Sequence, residues 1–512
     1  MNDQLLMFET LLALLLGATV LSIVARRVGV PYPTLLALGG ATVAFLPGAP
    51  PLRLEPELIL ALFVAPVLLD AAYDTSLRDL RRNWQPVLSL VLVAVGVTVA
   101  AVAVTTRLLF PDVPWAAAVA LGALLAPPDA VAALAVMRAV HPPHRIRTVL
   151  EGESLLNDAS ALIIYKLAVG AVAAGSFSLS GAAPTFAVVL VGSIAVGWVL
   201  ARLVGLLISQ IEDVPTSVVF QFVLTFGVWL LAERLGLSAV VTVVVMGLLA
   251  GRNTALTART RVPSFAVWDS VTFVLNVTAF TLIGLQLRPV LETLGGGEGR
   301  RLLGAALIIL GVVIVARLLW ALMYTLTQRP ERMKRSRRQL PLPAKSGLVI
   351  GWSGMRGIVT LAAALALPDD FPARAFIQLT AFVVVLGTLV IQGLTLRPLL
   401  TLLRLPEDTV VKQEIGVARK AALKAARAAL EGDTSPAAQR LRTEYEEGLN
   451  RARAGGDPHD SPDNVLRRQV LAASREAIET LRRSGIIGDD AYRVTEAELD
   501  LLELSARPAQ VD

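Results

Sequence analysis

About twenty consecutive apolar residues suffice for a helix to cross the hydrocarbon core of a bilayer, and this chain holds about thirteen such runs. They fall near 5–25, 31–47, 56–74, 86–108, 114–137, 147–172, 183–209, 214–233, 236–251, 265–288, 302–327, 346–367 and 373–399. No water is available at that depth to satisfy peptide groups, so each run has to close its own hydrogen bonds as a helix. The expected fold is therefore an all-α polytopic membrane protein. Composition agrees: 55% of the 512 residues are hydrophobic and 17% charged, against about 25% charged in soluble domains. Apolar character stops abruptly near Leu403. Residues 1–403 read as a transmembrane domain and 404–512 as a cytoplasmic helical tail, where Val417 to Glu431 alternates charges with helix formers. A flexible break is expected at Ala454-Gly-Gly-Asp-Pro458.

A net charge of +6 does not mark a nucleic-acid partner, because Lys and Arg gather in short loops between apolar runs and in the tail. Such a distribution reports topology. Alternate loops carry Arg26, Arg27, Arg78, Arg81, Arg82, Arg138, Arg145, Arg147, Arg252, Arg259, Arg261, the cluster from Arg329 to Arg338 and Lys345, whereas the opposite set carries far fewer. This places the N-terminus outside, the tail in the cytoplasm, and the protein in the cell (inner) membrane with lipid as its main partner. The first residues, Met-Asn-Asp-Gln, lack the positive region of a signal peptide, so the first apolar run should remain a span. Without cysteine, thiol catalysis and iron–sulfur ligation are excluded; His141, His144 and His459 are too few and too scattered to suggest a transition-metal site or cofactor.

Charged and polar groups inside spans cost enough to be treated as functional. The fifth run contains Leu124-Leu-Ala-Pro-Pro-Asp-Ala-Val131. Each proline lacks an N–H and disfavours helical geometry before it, so the helix should break at about 126–129. Two readings remain open there: an ion site built on freed carbonyls, including that of Pro128, or a kink whose second half is capped by Asp129. The sixth run carries Glu153, Ser154, Asn157 and Asp158 on two adjoining helical stripes, with Asp158 near mid-membrane. Hard alkali cations take oxygen ligands, and a carboxylate removed from water holds its proton more tightly, so one group can trade a proton for a metal ion. That is antiporter chemistry. Asp70, near the inner end of the third run, could add a carboxylate. Arg356, inside Gly351-Trp-Ser-Gly-Met-Arg-Gly357 of the twelfth run, needs an anionic partner, for which Glu153 and Asp158 are candidates; Arg317 is deep but ambiguous. With the seventh run as linker, both interruptions fall on the fifth helix of a six-span half, as in inverted-repeat transporters.

Gly152-Glu-Ser-Leu-Leu-Asn-Asp158, with Ala126-Pro-Pro-Asp-Ala130 upstream and Gly351 to Gly357 downstream, resembles the monovalent cation:proton antiporter-1 family, the sodium/proton exchangers. Leu68-Leu-Asp-Ala-Ala72 extends the likeness. The resemblance implies thirteen spans, a homodimer, and a mobile core domain that carries the ion past a dimerisation domain. It implies Na⁺, or Li⁺ or K⁺, exchanged for H⁺ at Asp158, with Ser154 and Asp70 as cation ligands and Asp129 as a supporting carboxylate. It further implies a buried Glu153–Arg356 pair oriented by Asn157, and electroneutral exchange from the Asn-Asp sequence. Many members carry Thr-Asp-Pro where this chain has Pro128-Asp129-Ala130, which removes a hydroxyl ligand. Potassium/proton exchange is the alternative within transporters. From another class, two intramembrane aspartates could form a protease dyad sharing one proton, but the Gly-x-Gly-Asp string of such enzymes is absent.

Overall fold

A computed structural model of the chain describes residues 2–46, 55–137, 140, 142–175, 179–211, 213–252, 258–292, 297–327, 344–405, 410–454, 462–484 and 486–506. Arg138, His141, the Arg329–Arg338 cluster, His459 and the glycine break after Ala454 lie outside the described residues. Among the described residues the chain is helical throughout, without strands. Two compact units divide it, Met1–Pro406 and Glu407–Asp512.

In chain order the first unit comprises α1 (Asn2–Val28), α2 (Tyr32–Val43), α3 (56–74), α4 (Leu77–Arg82), α5 (Trp84–Leu109), α6 (Trp115–Leu125), α7 (Ala130–Met137) and α8 (His144–Ala174). It continues with α9 (Leu179–Ile208), α10 (Val214–Arg234), α11 (Ala239–Ala250), α12 (Ala258–Leu285), α13 (Leu287–Glu292), α14 (Gly297–Thr327), α15 (Ala344–Trp352), α16 (Ile358–Leu365) and α17 (Arg374–Leu403). Seven described helices are long and apolar enough to cross a membrane. Two other apolar runs appear as shorter pieces, because prolines and glycines interrupt them: α6 and α7 are two halves of one run, α15 and α16 of another.

Small residues let the backbones approach where long side chains would hold them apart. At the α2–α12 crossing Gly40 lies against the Thr281 carbonyl and Gly284 against that of Ala37, so a methyl on either would collide with backbone. The Thr34 hydroxyl of α2 donates to the Leu389 carbonyl of α17 at 2.8 Å. Two helices also carry a widened turn, Leu60–Val64 in α3 and Ser89–Ala94 in α5. Widening releases backbone groups from the regular ladder. In α5 the Val91 carbonyl accepts from the Ser160 hydroxyl at 3.3 Å, and the Ser89 hydroxyl accepts from the indole N–H of Trp320 at 3.2 Å. These contacts tie α5 to α8, two residues beyond Asp158, and to α14.

The second unit contains α18 (Val410–Ala429), α19 (Pro436–Arg453), α20 (Pro462–Arg483) and α21 (Asp489–Ser505), paired as α18 with α19 and α20 with α21. Gly432, at φ 100°, makes the first turn, and the Ser435 hydroxyl caps α19 by accepting from the Ala438 N–H at 3.2 Å. Arg427–Glu446 links the first pair, and Arg475 with Asp500 and Glu503 links the second.

Candidate functional site

Two interrupted helices meet at their breaks. The run α6–α7 unwinds over 126–129 and α15–α16 over 353–357, and each unwound segment supplies partners for the other. The Asp129 N–H donates to the Met355 carbonyl at 2.6 Å, and the Arg356 N–H donates to the Thr388 hydroxyl of α17 at 3.0 Å. Arg356 is fully buried. Its guanidinium donates to the carbonyls of Leu125, at 2.9 Å, and Ala126, where α6 ends, and to that of Gly354. The negative end of the α6 dipole thereby meets a cation. At the opposite end of the break, the Asp129 carboxylate accepts from the Val131 N–H at 2.8 Å and caps the positive end of α7. Asp129 therefore caps the second half-helix, and it also faces a cavity. Gly357 permits this approach, because a methyl there would overlap the Asp129 carboxylate.

A cavity of about 120 Å³ lies against the crossing. Its polar wall contains Pro128, Asp129, Glu151, Ser154, Asp158, Asn276 and Thr360, and its apolar wall includes Phe63, Val64, Val67, Leu68, Ala71 and Phe280. Glu151, Ser154, Leu155 and Asp158 fall at i, i+3, i+4 and i+7 of α8, which puts them on one face. Asp158 is only 7% exposed. One water needs roughly 10–15 Å³ of such space, so the cavity has room for a monovalent cation with part of its hydration shell. Its donors are hard oxygens: two deep carboxylates, two hydroxyls, an amide and a backbone segment that has left the helical ladder. Among the described residues no three His, Cys, Asp or Glu side chains come together in a transition-metal set. Asn276 and Thr360 were not singled out by sequence reasoning, although an asparagine inside the apolar run 265–288 is a readable signal.

Three expectations change. Glu153 pairs with Arg317 of α14, not with Arg356: the two carboxylate oxygens accept from both Nη atoms, Oε2 from Nη2 at 2.8 Å, and Nη2 also donates to the Ile350 carbonyl at 3.1 Å. Their side chains are 1% and 3% exposed. Arg356 is occupied by the carbonyls of the broken helices, which explains why it needs no carboxylate contact. Asn157 is fully buried, yet neither atom of its amide has a hydrogen-bond partner among the described residues, so it does not orient the pair by hydrogen bonding. Asp70 lines a different cavity, of about 50 Å³, with Tyr73, Gln221, Arg261, Ser264 and Trp268. Helical phase is the reason: Val64, Val67, Leu68 and Ala71 form the α3 stripe facing the Asp158 cavity, and Asp70 stands roughly 110° round the helix from it.

The membrane unit also matches a known sequence pattern. Residues 11–402 fit the model of the transmembrane sodium/hydrogen exchanger family. The chain belongs to that family. This exchanger is a transporter, not an enzyme, and the protease reading falls with that assignment. It is 32% identical to the uncharacterized Na⁺/H⁺ exchanger Rv2287 of Mycobacterium tuberculosis, over 96% of this chain and 95% of the relative. A sodium, potassium, lithium and rubidium/H⁺ antiporter of Bacillus subtilis is 29% identical over 98% of this chain and 79% of its own. In fold, the exchanger is similar to the sodium proton antiporter MjNhaP1 of Methanocaldococcus jannaschii, with a TM-score of 0.59 and 19% identity, covering 79% of this chain and 99% of that one.

Proposed function

We propose that this exchanger moves one Na⁺ against one H⁺ by letting the two compete for Asp158. The observation that carries the reading is the cavity joining Asp158 and Ser154 of α8 to Pro128 and Asp129 at the crossed breaks. Asp158 is the shared carboxylate; Ser154 and the freed backbone near Pro128 supply neutral oxygens, and Asp129 supports the cation from the α7 cap. Asp70 is left out, because it lines another cavity. Glu153 is compensated by Arg317 and Asn157 does not ionise, so one exchanging carboxylate accounts for one-for-one, electroneutral exchange. Alternating access then moves the crossed half-helices and α8 as one core. The arginine-rich loops around α4 and the start of α8 face the cytoplasm, with the N-terminus outside, in a homodimer in the cell membrane.

The name of the Bacillus relative supports a second substrate reading, in which K⁺ or Li⁺ replaces Na⁺ at the same site. Both are tested by reconstituting the purified protein with a pH-sensitive dye and adding each cation in turn. Na⁺ should dissipate the proton gradient, and Asp158→Asn should reduce the signal below a few percent of wild type while the protein still inserts. Undiminished exchange by Asp158→Asn would remove this carboxylate from the mechanism.

A further inference from the structure

The cavity wall contains an acidic group that the exchange chemistry leaves unused. Glu151 lies seven residues before Asp158 on α8, on the same face and about 10 Å toward the start of the helix. It lines the cavity with Ser154 and Asp158, but its side chain is 28% exposed, so it stands where the cavity meets water. Its Oε1 accepts from Nε of Arg147 at 2.7 Å, and Arg147 is 44% exposed.

As a support for the helix this pair is badly arranged. Arg147 sits in the first turns of α8, where the helix dipole disfavours a cation. The order arginine then glutamate, four apart, is also the weaker orientation for an intrahelical pair. Exposed ion pairs contribute little and open readily. We infer that Glu151 is the entry carboxylate of the exchanger: it collects a monovalent cation at the mouth of the cavity, and Arg147 limits its pull by occupying it in the absence of the cation. A cation that displaces Arg147 is then one turn from Ser154 and two from Asp158. Other charged groups at this end of α8 are His144, which meets Asp79, and Arg145, which donates to Asn83 at 2.8 Å. On the α4 helix packed against it stand Arg81, Arg82 and Arg78, the last pairing with Asp79. Deeper lie Asp129, Glu153 and Asp158.

The inference rests on the exchange reading above, and its test separates the two. A unit charge about 10 Å away changes cation occupancy roughly two- to sixteenfold between aqueous and protein-surface screening. Removing Glu151 weakens Na⁺ and H⁺ binding at Asp158 by the same factor, because both carry one charge. With competing ligands, that factor multiplies the apparent KM for Na⁺ where protons are scarce and cancels where protons saturate the site.

The experiment uses everted membrane vesicles, which expose the cytoplasmic face, and measures Na⁺-driven dequenching of a proton-gradient dye from about pH 6 to about pH 9. Glu151→Gln should raise the Na⁺ concentration for half-maximal dequenching about three- to tenfold at the alkaline end and leave it unchanged at the acid end, with the maximal response within about twofold of wild type. Arg147→Gln should lower it at the alkaline end, and Glu151→Asp should stay near wild type because the charge remains. An unchanged alkaline KM in Glu151→Gln, an equal rise at every pH, or a shift of Arg147→Gln in the same direction as Glu151→Gln would each overturn the assignment. Should Glu151→Gln fail to insert, the Arg147→Gln arm decides. Absence of Na⁺-driven dequenching in the wild type would instead overturn the exchange reading itself.

Discussion

Removing either partner of the Glu153–Arg317 pair leaves a charge in a site that excludes water. The two side chains are 1% and 3% exposed and meet through two parallel contacts. Stripping one member from a buried pair typically costs about 3–5 kcal/mol, much of it the uncompensated charge that remains, whereas replacing both by apolar groups of similar volume is often nearly neutral. Glu153→Gln and Arg317→Met should each destabilise the exchanger by about that amount, and the double variant should lose less than the larger single loss. The coupling energy measured by equilibrium unfolding in mixed micelles is therefore expected to be about 3 kcal/mol or more. A second cycle on Glu153 and Arg356 supplies the contrast, because Arg356 donates to carbonyls of Leu125, Ala126 and Gly354. The coupling there should be clearly weaker. Additive losses for Glu153 and Arg317, within about 0.5 kcal/mol, would refute the pairing; stronger coupling of Glu153 to Arg356 than to Arg317 would restore the partner expected from the resemblance.

Gly357→Ala places a methyl on the Asp129 carboxylate and should reduce exchange more than about tenfold. Gly311→Ala, which meets open space, should leave it intact; equal activity of both variants would contradict the close approach at the crossing. Outside the spans, burial acts upward on the Asp79 carboxyl, but hydrogen bonds with Ser76 and His144 and the charges of Arg78 and His144 outweigh it, holding it below the usual 3.8. A depressed carboxyl stabilises the fold above its unfolded value, and that contribution disappears as pH falls through the folded one. Wild type should accordingly be more stable than Asp79→Asn near neutrality, with the difference closing below pH 3.8. A gap that persisted undiminished in acid would assign the effect to packing instead.

Local chemistry made part of the architecture legible. Two adjacent prolines at 127–128 and the glycines from 351 to 357 forbid a continuous helix whatever surrounds them, and both interruptions appear where those residues stand. The stripe containing Ser154 and Asp158 was equally readable, because helical periodicity alone places them together. Choosing between two buried arginines for Glu153 was not a local matter. It depends on which helix crosses α8 at that depth, and α14 brings Arg317 there while broken-helix carbonyls draw Arg356 away. Asp70 failed for a related reason: its depth suited a ligand, but its angular position on α3 relative to a neighbour several elements away is a tertiary fact. The widened turns Leu60–Val64 and Ser89–Ala94 left no clear trace in residue type. Among the described residues seven apolar helices are long enough to span, and the breaks at 126–129 and 353–357 shorten the pieces of two other runs without making them less apolar.

One carboxylate exchanging one proton for one monovalent cation makes the loaded site equally charged in both half-cycles. A membrane potential contributes about 2.3 kcal/mol per net charge per 100 mV, multiplied here by zero. The direct measurement fixes a pH gradient across proteoliposomes, clamps the potential with valinomycin and K⁺, and finds the Na⁺ gradient that just stops proton flux. The balance point should stay where it is as the clamp moves from about 0 to about −100 mV. A balance point that shifts with the potential would mean that Asp129 or another group titrates with Asp158, and would contradict exchange through a single carboxylate.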